Sequence, residues 1–448
     1  MRKRPATLGW YGQLDATERR TFWACFAGFG LDSMDSSIYA LVIPALIATL
    51  GLTRPEAGYL ATAALVGAAV GGWGAGVAAD RIGRIRVLQW TILWVALCTF
   101  GSAFATGFAP LALLRFGQGM GYGGEAAVGA TLISEVVRPA LRGRVASAVS
   151  SGYAVGYAAA VALFPVIASL FPQEFGWRVF FAIGLVPAAA VFLIRRFVPE
   201  SGLYAESAES AETAGRAGRP DAVWRIFTGA HRRTTLMAAT LSTGIFGGNY
   251  VMIIWLPTYL RTALGFSTAT SAGYLAANIA GSLVGPLLYG QMADRVGRRA
   301  AFRAFLVLQA LNVGLYVFAA PGLGLLIGLS FALGACQNAL ASGMTPTFAE
   351  LFETAVRGGA QGLCLGGGRG FGSMMPALVG LIAATAPLGT AMGLCALSAY
   401  AVAFAATLAL PETTGVELGS ISEPSPTSSD DPSRPWGSRQ AVGRDGKQ

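Results

Sequence analysis

The chain has 448 residues, 54% of them hydrophobic and only 12% charged, whereas soluble globular chains carry about 25% charged residues. Its formal net charge is +9, but no basic stripe interleaves with aromatics on a polar domain, so the charge does not describe a nucleic-acid binder. The composition excludes an ordinary soluble domain and describes an integral membrane protein, in which 60 glycines suit closely approaching helices.

Residues 1–20 are polar and basic and show no small-residue cleavage site behind a short apolar core. The first apolar run is therefore expected to be a retained span rather than a signal peptide. A spanning helix needs roughly 20 apolar residues. Runs of that kind fall at 21–50, 56–79, 87–106, 109–133, 145–170 and 177–197, and again at 234–262, 268–292, 301–319, 322–349, 359–385 and 387–410. The expected fold is all-α and membrane-integral, with twelve transmembrane helices in two six-helix bundles, 21–198 and 234–410. Between them, 199–233 is rich in Ala, Glu, Ser, Gly and Arg and reads as a connection. The tail at 411–448, rich in Ser, Pro and Asp, is expected to be disordered.

One phrase occurs twice. Gly76-Val-Ala-Ala-Asp80-Arg81-Ile-Gly83-Arg84 returns 214 residues later as Gly290-Gln-Met-Ala-Asp294-Arg295-Val-Gly297-Arg298. At an offset of 215, Phe116 matches Phe331, Gly119 matches Gly334, Glu135 matches Glu350, and Arg142-Gly143 matches Arg357-Gly358. So steady an offset predicts two equivalent halves related by an axis along the membrane normal, the arrangement of many secondary transporters. With both termini inside, all but five of the 32 basic residues fall on the cytoplasmic side. The exceptions are Arg54, Arg178 and Arg261 in external loops and Arg115 and Arg369 within spans. The expected location is the cell (inner) membrane, multi-pass, with both termini cytoplasmic. The preference for arginine among the basic residues suggests a GC-rich bacterial genome.

These residues resemble the major facilitator superfamily. The loop signature GxxxDRxGR stands in both halves. Leu114-Arg115-Phe-Gly-Gln118-Gly119-Met-Gly121 is similar to the family's RxxQGxG pattern, and Pro411-Glu412-Thr413-Thr414-Gly415 to its PETxG ending. Leu31-Asp32-Ser33-Met34-Asp35 resembles the DGxD element of organic-acid/proton symporters, with Ser33 where many relatives have glycine. Gly123-Gly124-Glu125, Trp177-Arg178-Val-Phe180 and Pro199-Glu200-Ser201 look like the sialate, lactate, aromatic-acid and metabolite symporter branches. The resemblance implies proton-coupled transport of a carboxylate-type metabolite, and it associates the arginine of RxxQGxG with proton coupling.

A charge at the centre of a spanning helix costs about 2.5–3.5 kcal/mol on insertion scales, so each one needs a partner or a wet cavity. Asp32 and Asp35 are three apart and share a helix face. Burial and mutual repulsion favour the protonated form of one of them, which is what proton coupling requires; the alternative is that one simply pairs with an arginine. Asp35 plus 214 is Asn249, so Asn249 and Tyr250 are expected to face the cavity, with an interhelical hydrogen bond as the alternative. The positions matching Arg115 and Glu125 are Ser330 and Leu340, so those charges are not part of the shared scaffold. Arg115, Gln118 and Tyr122 form one run at helical spacing, and Gln118 and Glu125 form another. Arg369, in the glycine-rich run Gly366-Gly-Gly-Arg369-Gly-Phe-Gly, is the preferred anchor for a substrate carboxylate, or else a partner for a buried acid. Asn278, Gln337 and Asn338 are candidates either for ligand contact or for helix packing.

The signature loops are expected to act as a conformational latch, through Gly76, Asp80, Arg81, Gly83 and Arg84 and their repeats Gly290, Asp294, Arg295, Gly297 and Arg298. Glu135 and Glu350 are their expected partners, beside Arg142 and Arg357. The five cysteines lie in apolar runs without a CxxC pair and read as buried packing residues. The only histidine, His231, sits in a polar stretch, which excludes a histidine relay within the membrane. No metal-ligand cluster and no GxxxxGK[ST] loop occurs, so neither a metal, another cofactor, nor ATP hydrolysis by this chain is expected. The expected function is proton-coupled uptake of a small organic anion by alternating access, by a single chain in a lipid bilayer. Its partners are the organic acid and protons, with no nucleic acid. Proton-coupled export by antiport and ligand sensing without translocation are the alternatives; an enzyme is not expected.

Overall fold

The computed structural model describes residues 11–138, 151–185, 231–319, 322–352 and 357–413, with positions 141, 145, 148, 149, 189 and 192. The first half contains α1 (Ala16–Leu50), α2 (Arg54–Ile82), α3 (Arg84–Ser102), α4 (Phe108–Val136), α5 (Gly152–Leu170) and α6 (Gln173–Ile183). The second half contains α7 (His231–Thr258), α8 (Thr268–Val296), α9 (Arg298–Phe318), α10 (Leu323–Leu351), α11 (Arg357–Gly372), α12 (Met375–Ile382) and α13 (Leu388–Ala409). Nine of the described helices are long and apolar enough to cross a membrane. Large apolar side chains point outward from the bundle, among them Trp73, Trp90, Leu113 and Leu287, as lipid rather than water requires. The connection at 199–233 lies outside the described residues up to position 230, and so does the tail beyond Thr413.

Local chemistry sets the helix ends. Asp15 and Glu18 form a capping box at the start of α1, and Thr53 and Glu56 form one at the start of α2. Ser267 caps α8. Each signature loop is a single residue: Gly83 at φ 102° joins α2 to α3, and Gly297 at φ 96° joins α8 to α9. Only glycine adopts that backbone without strain.

The eleventh span differs from the continuous helix expected at 359–385. It breaks between Gly372 and Met375 into α11 and α12. Pro376 falls in the first turn of α12, where its missing N–H is harmless, and so restarts the helix after a glycine-rich run.

Glycine carries the packing, and it does so in duplicate. A Cβ at Gly67 or Gly71 of α2 would strike the Phe116 or Met120 carbonyl of α4. The matching Gly281 and Gly285 of α8 would strike the Phe331 and Ala335 carbonyls of α10. Gly119 in α4 and its repeat Gly334 in α10 lie just as closely on Ala64 and Asn278. Backbone-to-backbone contact therefore locks α2 to α4 and α8 to α10.

The halves meet chiefly at the face away from the signature loops. There α2 lies against α12, with Gly58 on Pro376 and Gly380 on Arg54. Thr62 Oγ1 donates to the Ser373 carbonyl at 2.7 Å, and Arg54 Nη1 donates to the Ala383 carbonyl at 2.8 Å. At the signature-loop face, every ion pair among the described residues joins groups within one half. The central cleft is thus sealed at the end remote from those loops.

Candidate functional site

A cleft of about 670 Å³ lies between the halves, and most of its polar lining comes from the first. Helix α1 contributes Asp32, Asp35 and Tyr39; α4 contributes Arg115, Gln118 and Tyr122. Tyr153 of α5 and Tyr250 of α7 complete the aromatic wall. The steps from Arg115 to Gln118 and on to Tyr122 keep all three on one face of α4. The glycine contact with α2 fixes how that face is turned.

Three of these polar groups form a directed chain with one residue of α3. Arg115 Nη1 donates to Gln118 Oε1. Gln118 Nε2 donates to Thr99 Oγ1 at 3.0 Å, and Thr99 Oγ1 donates to Asp35 Oδ2 at 3.0 Å. Every donor points toward the carboxylate. Asp35 and Arg115 are both buried, at 2% and 4% exposure, so a broken link would strand a polar group away from water. The Arg115 guanidinium also lies over the Tyr39 ring, 4.2 Å from its centroid. Asp35 Oδ1, the second carboxylate oxygen, is buried and has no hydrogen-bond partner.

The second half offers a cation beside the cleft, outside its lining but within electrostatic reach of Tyr122 and Tyr250 in its wall. Arg369 stands twelve residues into α11, roughly 18 Å along the helix, near mid-membrane depth. Its guanidinium sits over the Phe246 ring, 5.1 Å from the centroid, and Phe246 stacks on Tyr250 with centroids 5.9 Å apart. Arg369 is exposed and makes no ion pair or side-chain hydrogen bond among the described residues. Tyr122 lies within electrostatic reach of both Arg369 and Asp32.

Other singled-out residues lie elsewhere. Glu125 is buried outside the cleft lining and accepts from Thr91 of α3 at 3.3 Å. Asn249 faces the second bundle: its Nδ2 donates to the Gln337 carbonyl, and its Oδ1 accepts from Tyr400 at 3.0 Å. Asn278 and Asn338 donate to the Ser330 and Ser282 carbonyls and join α8 to α10. Gln337 is buried in α10 and outside the cleft lining.

At the signature loops, Arg84 pairs with Glu135 at 3.1 Å and Arg298 with Glu350 at 3.2 Å. Arg298 also holds Asp294 at 2.6 Å. Arg81 and Arg295 are exposed, and Gly76 and Gly290 face open space. The side chains of Asp80, Arg142 and Arg357 lie outside the described residues.

Sequence reasoning missed four participants. Tyr39 and Phe246 stand four residues from Asp35 and Tyr250, a helical spacing that could have flagged them. Tyr153 and Thr99 carry no such signal. Glu412 was noted only within its motif, yet it caps α9, accepting from the Arg298 and Arg299 amides at 2.8 and 3.2 Å.

Two pseudo-equivalent helical bundles around an ionisable cleft define a membrane transporter. The chain belongs to the Major Facilitator Superfamily, whose sequence model matches residues 25–288 and 275–444. It is 34% identical over 420 residues to the probable 4-methylmuconolactone transporter of Cupriavidus pinatubonensis, covering 93% of this chain and 96% of the relative. It is 29% identical over 377 residues to the cis,cis-muconate transport protein of Acinetobacter baylyi, covering 83% and 89%. The inward-open xylose transporter XylE from E. coli matches with a TM-score of 0.73 at 19% identity, covering 89% of this chain and 97% of that one, a likeness of fold.

Proposed function

We propose that this transporter carries a small organic acid into the cell together with protons, through the alternate opening of its two halves around the cleft. The observation that carries the reading is Arg369: an exposed guanidinium at mid-membrane depth, stacked on Phe246 and lacking a carboxylate partner among the described residues. A cation so placed requires an anion, and a substrate carboxylate supplies one. Asp35 takes the coupling proton, with Asp32 beside it. Tyr122, Tyr153 and Tyr250 offer flat faces to an unsaturated acid. Relatives named for 4-methylmuconolactone and cis,cis-muconate support that substrate class.

On this reading the signature loops and both termini are cytoplasmic, the membrane is the bacterial inner membrane, and one chain suffices. The seal between α2 and α12 then closes the outside, and the cleft opens inward. The Arg84–Glu135 and Arg298–Glu350 pairs hold each loop in shape so that it latches against the other half when the cleft faces outward.

The test is uptake of radiolabelled cis,cis-muconate into proteoliposomes. An acidic exterior should raise accumulation at least tenfold over a neutral one, and Asp35→Asn should abolish that gain while leaving exchange measurable. An acidic exterior that lowers accumulation would instead mark an exporter working by antiport. Binding without movement would mark a sensor.

A further inference from the structure

The proton and anion sites of a symporter must communicate, and in this protein they are not in contact. No ion pair joins Asp35 to Arg115 among the described residues; Gln118 and Thr99 stand between them. We propose that Thr99 is the positioning residue that couples them: its hydroxyl ties the charge state of Asp35 to the availability of Arg115 for a second carboxylate of the substrate, beyond the one Arg369 takes. The proposal rests on the symport reading above.

The two carboxylate oxygens of Asp35 have different surroundings. Oδ2 accepts from Thr99 at 3.0 Å. Oδ1 has no hydrogen-bond partner and faces Gly184, where even a Cβ would approach to 2.9 Å. Oδ1 is thus the oxygen that can take a proton while the bond at Oδ2 stays in place.

That bond nevertheless weakens. Hydrogen bonds to an ionised acceptor are roughly twice as strong as neutral ones, and successive bonds in a chain polarise one another. With Asp35 ionised, all three donors are drawn toward it, and Arg115 is held over Tyr39 against Gln118. With Asp35 neutral the pull is released, and the Arg115 guanidinium can turn to an anion in the cleft. Proton binding thus precedes and promotes anion binding, the order symport needs. It also offsets the charge brought in by the substrate.

The groups facing Asp35 that titrate or carry charge are Asp32 and Tyr39 of α1, Arg115 and Tyr122 of α4, Tyr153 of α5 and Tyr250 of α7. Helices α2 and α3 present only Ala61, Ala64, Leu65 and Val95 to the cleft; behind it the Thr99 hydroxyl and Gly184, at the end of α6, meet Asp35. Of these groups, Asp32 is the other carboxyl, so Asp32→Asn is made in parallel to isolate the Asp35 response.

Thr99→Val keeps the shape of the side chain and removes the hydroxyl; Thr99→Ser keeps the hydroxyl. Gln118→Met cuts the chain one link further on and serves as a second test should Thr99→Val fold poorly. The readout is acid-driven accumulation of cis,cis-muconate divided by its counterflow exchange in proteoliposomes, each measured from pH 5 to pH 8. Thr99→Val and Gln118→Met should lower the ratio at least tenfold and flatten its pH profile. Thr99→Ser should stay within twofold of the parent. A parent-like ratio and profile in Thr99→Val and Gln118→Met, with Asp35→Asn inactive in accumulation, would overturn the coupling role of Thr99 and leave the symport reading standing. Undiminished accumulation by Asp35→Asn, or none by the parent, would overturn the symport reading itself.

Discussion

The two halves share a skeleton and divide the chemistry. Their glycine contacts match residue for residue: Gly67 and Gly71 bind α2 to α4 as Gly281 and Gly285 bind α8 to α10. Their polar residues do not. Asp35 looks into the cleft, whereas its counterpart Asn249 turns into the second bundle and bonds Tyr400 and the Gln337 backbone. Arg115 lies beside the cleft, whereas its counterpart Ser330 holds Tyr316 at 3.0 Å. Among the described residues the second half uses its amides to join its own helices and sets Arg369 beside the cleft. Duplication supplied the frame, and ionisable groups were then placed on one wall of it.

The sharpest way to break the comparison is to attack the shared frame. Gly119→Val and Gly334→Val each force a side chain into a neighbouring backbone. Each should destabilise the purified protein by about 3 kcal/mol or prevent its folding. Thermal unfolding in detergent should show similar losses for the two; a large loss in only one half would contradict structural equivalence.

Next in size is the unpartnered cation. Arg369→Gln removes a charge-assisted contact of about 1.5–3 kcal/mol, so the apparent affinity for an organic acid should fall roughly 10- to 100-fold. Thermal stability should hardly move, because no partner is orphaned. Unchanged affinity would remove Arg369 from the substrate site.

Smaller effects separate the two signature loops. Arg298 serves Asp294 and Glu350 and stands at the helix end capped by Glu412, whereas Arg84 pairs with Glu135 and the Ala79 carbonyl. Arg298→Ala should therefore lower stability by about 1–2 kcal/mol and Arg84→Ala by about 1 kcal/mol, with transport turnover slowed in both. Equal or inverted losses would refute the ranking. Least of all, Asn249→Leu should lower stability by about 1 kcal/mol and leave the pH dependence of uptake unchanged. A shifted pH profile would give Asn249 a place in the coupling that its position denies.

The sequence made the frame legible because spacing survives duplication. The steady offset marked two halves, and the repeated glycines marked the turns at Gly83 and Gly297. Charge within a span is rare enough that Asp32, Asp35, Arg115 and Arg369 stood out before any fold was known. What spacing could not show is the rotation of each helix about its own axis. Asn249 and Asp35 occupy matched positions, but which way each faces depends on neighbours such as Tyr400 and Thr99. Thr99 was invisible for a related reason. A threonine in an apolar run usually bonds its own helix, as Thr49 does to the Ala45 carbonyl, and only the neighbouring α1 reveals that Thr99 does not. The interruption at Ser373 escaped notice because glycine-rich runs also occur inside continuous helices here, as in α4.

The single-glycine elbows at Gly83 and Gly297 constrain anyone who edits this gene. One residue inserted at either elbow would rotate the following helix by about 100° and swing Arg84 or Arg298 off its acidic partner. Epitope tags and fluorescent fusions meant to report sidedness belong in longer connections, and a frame-preserving insertion scan should show these two buried positions as intolerant although neither carries a side chain.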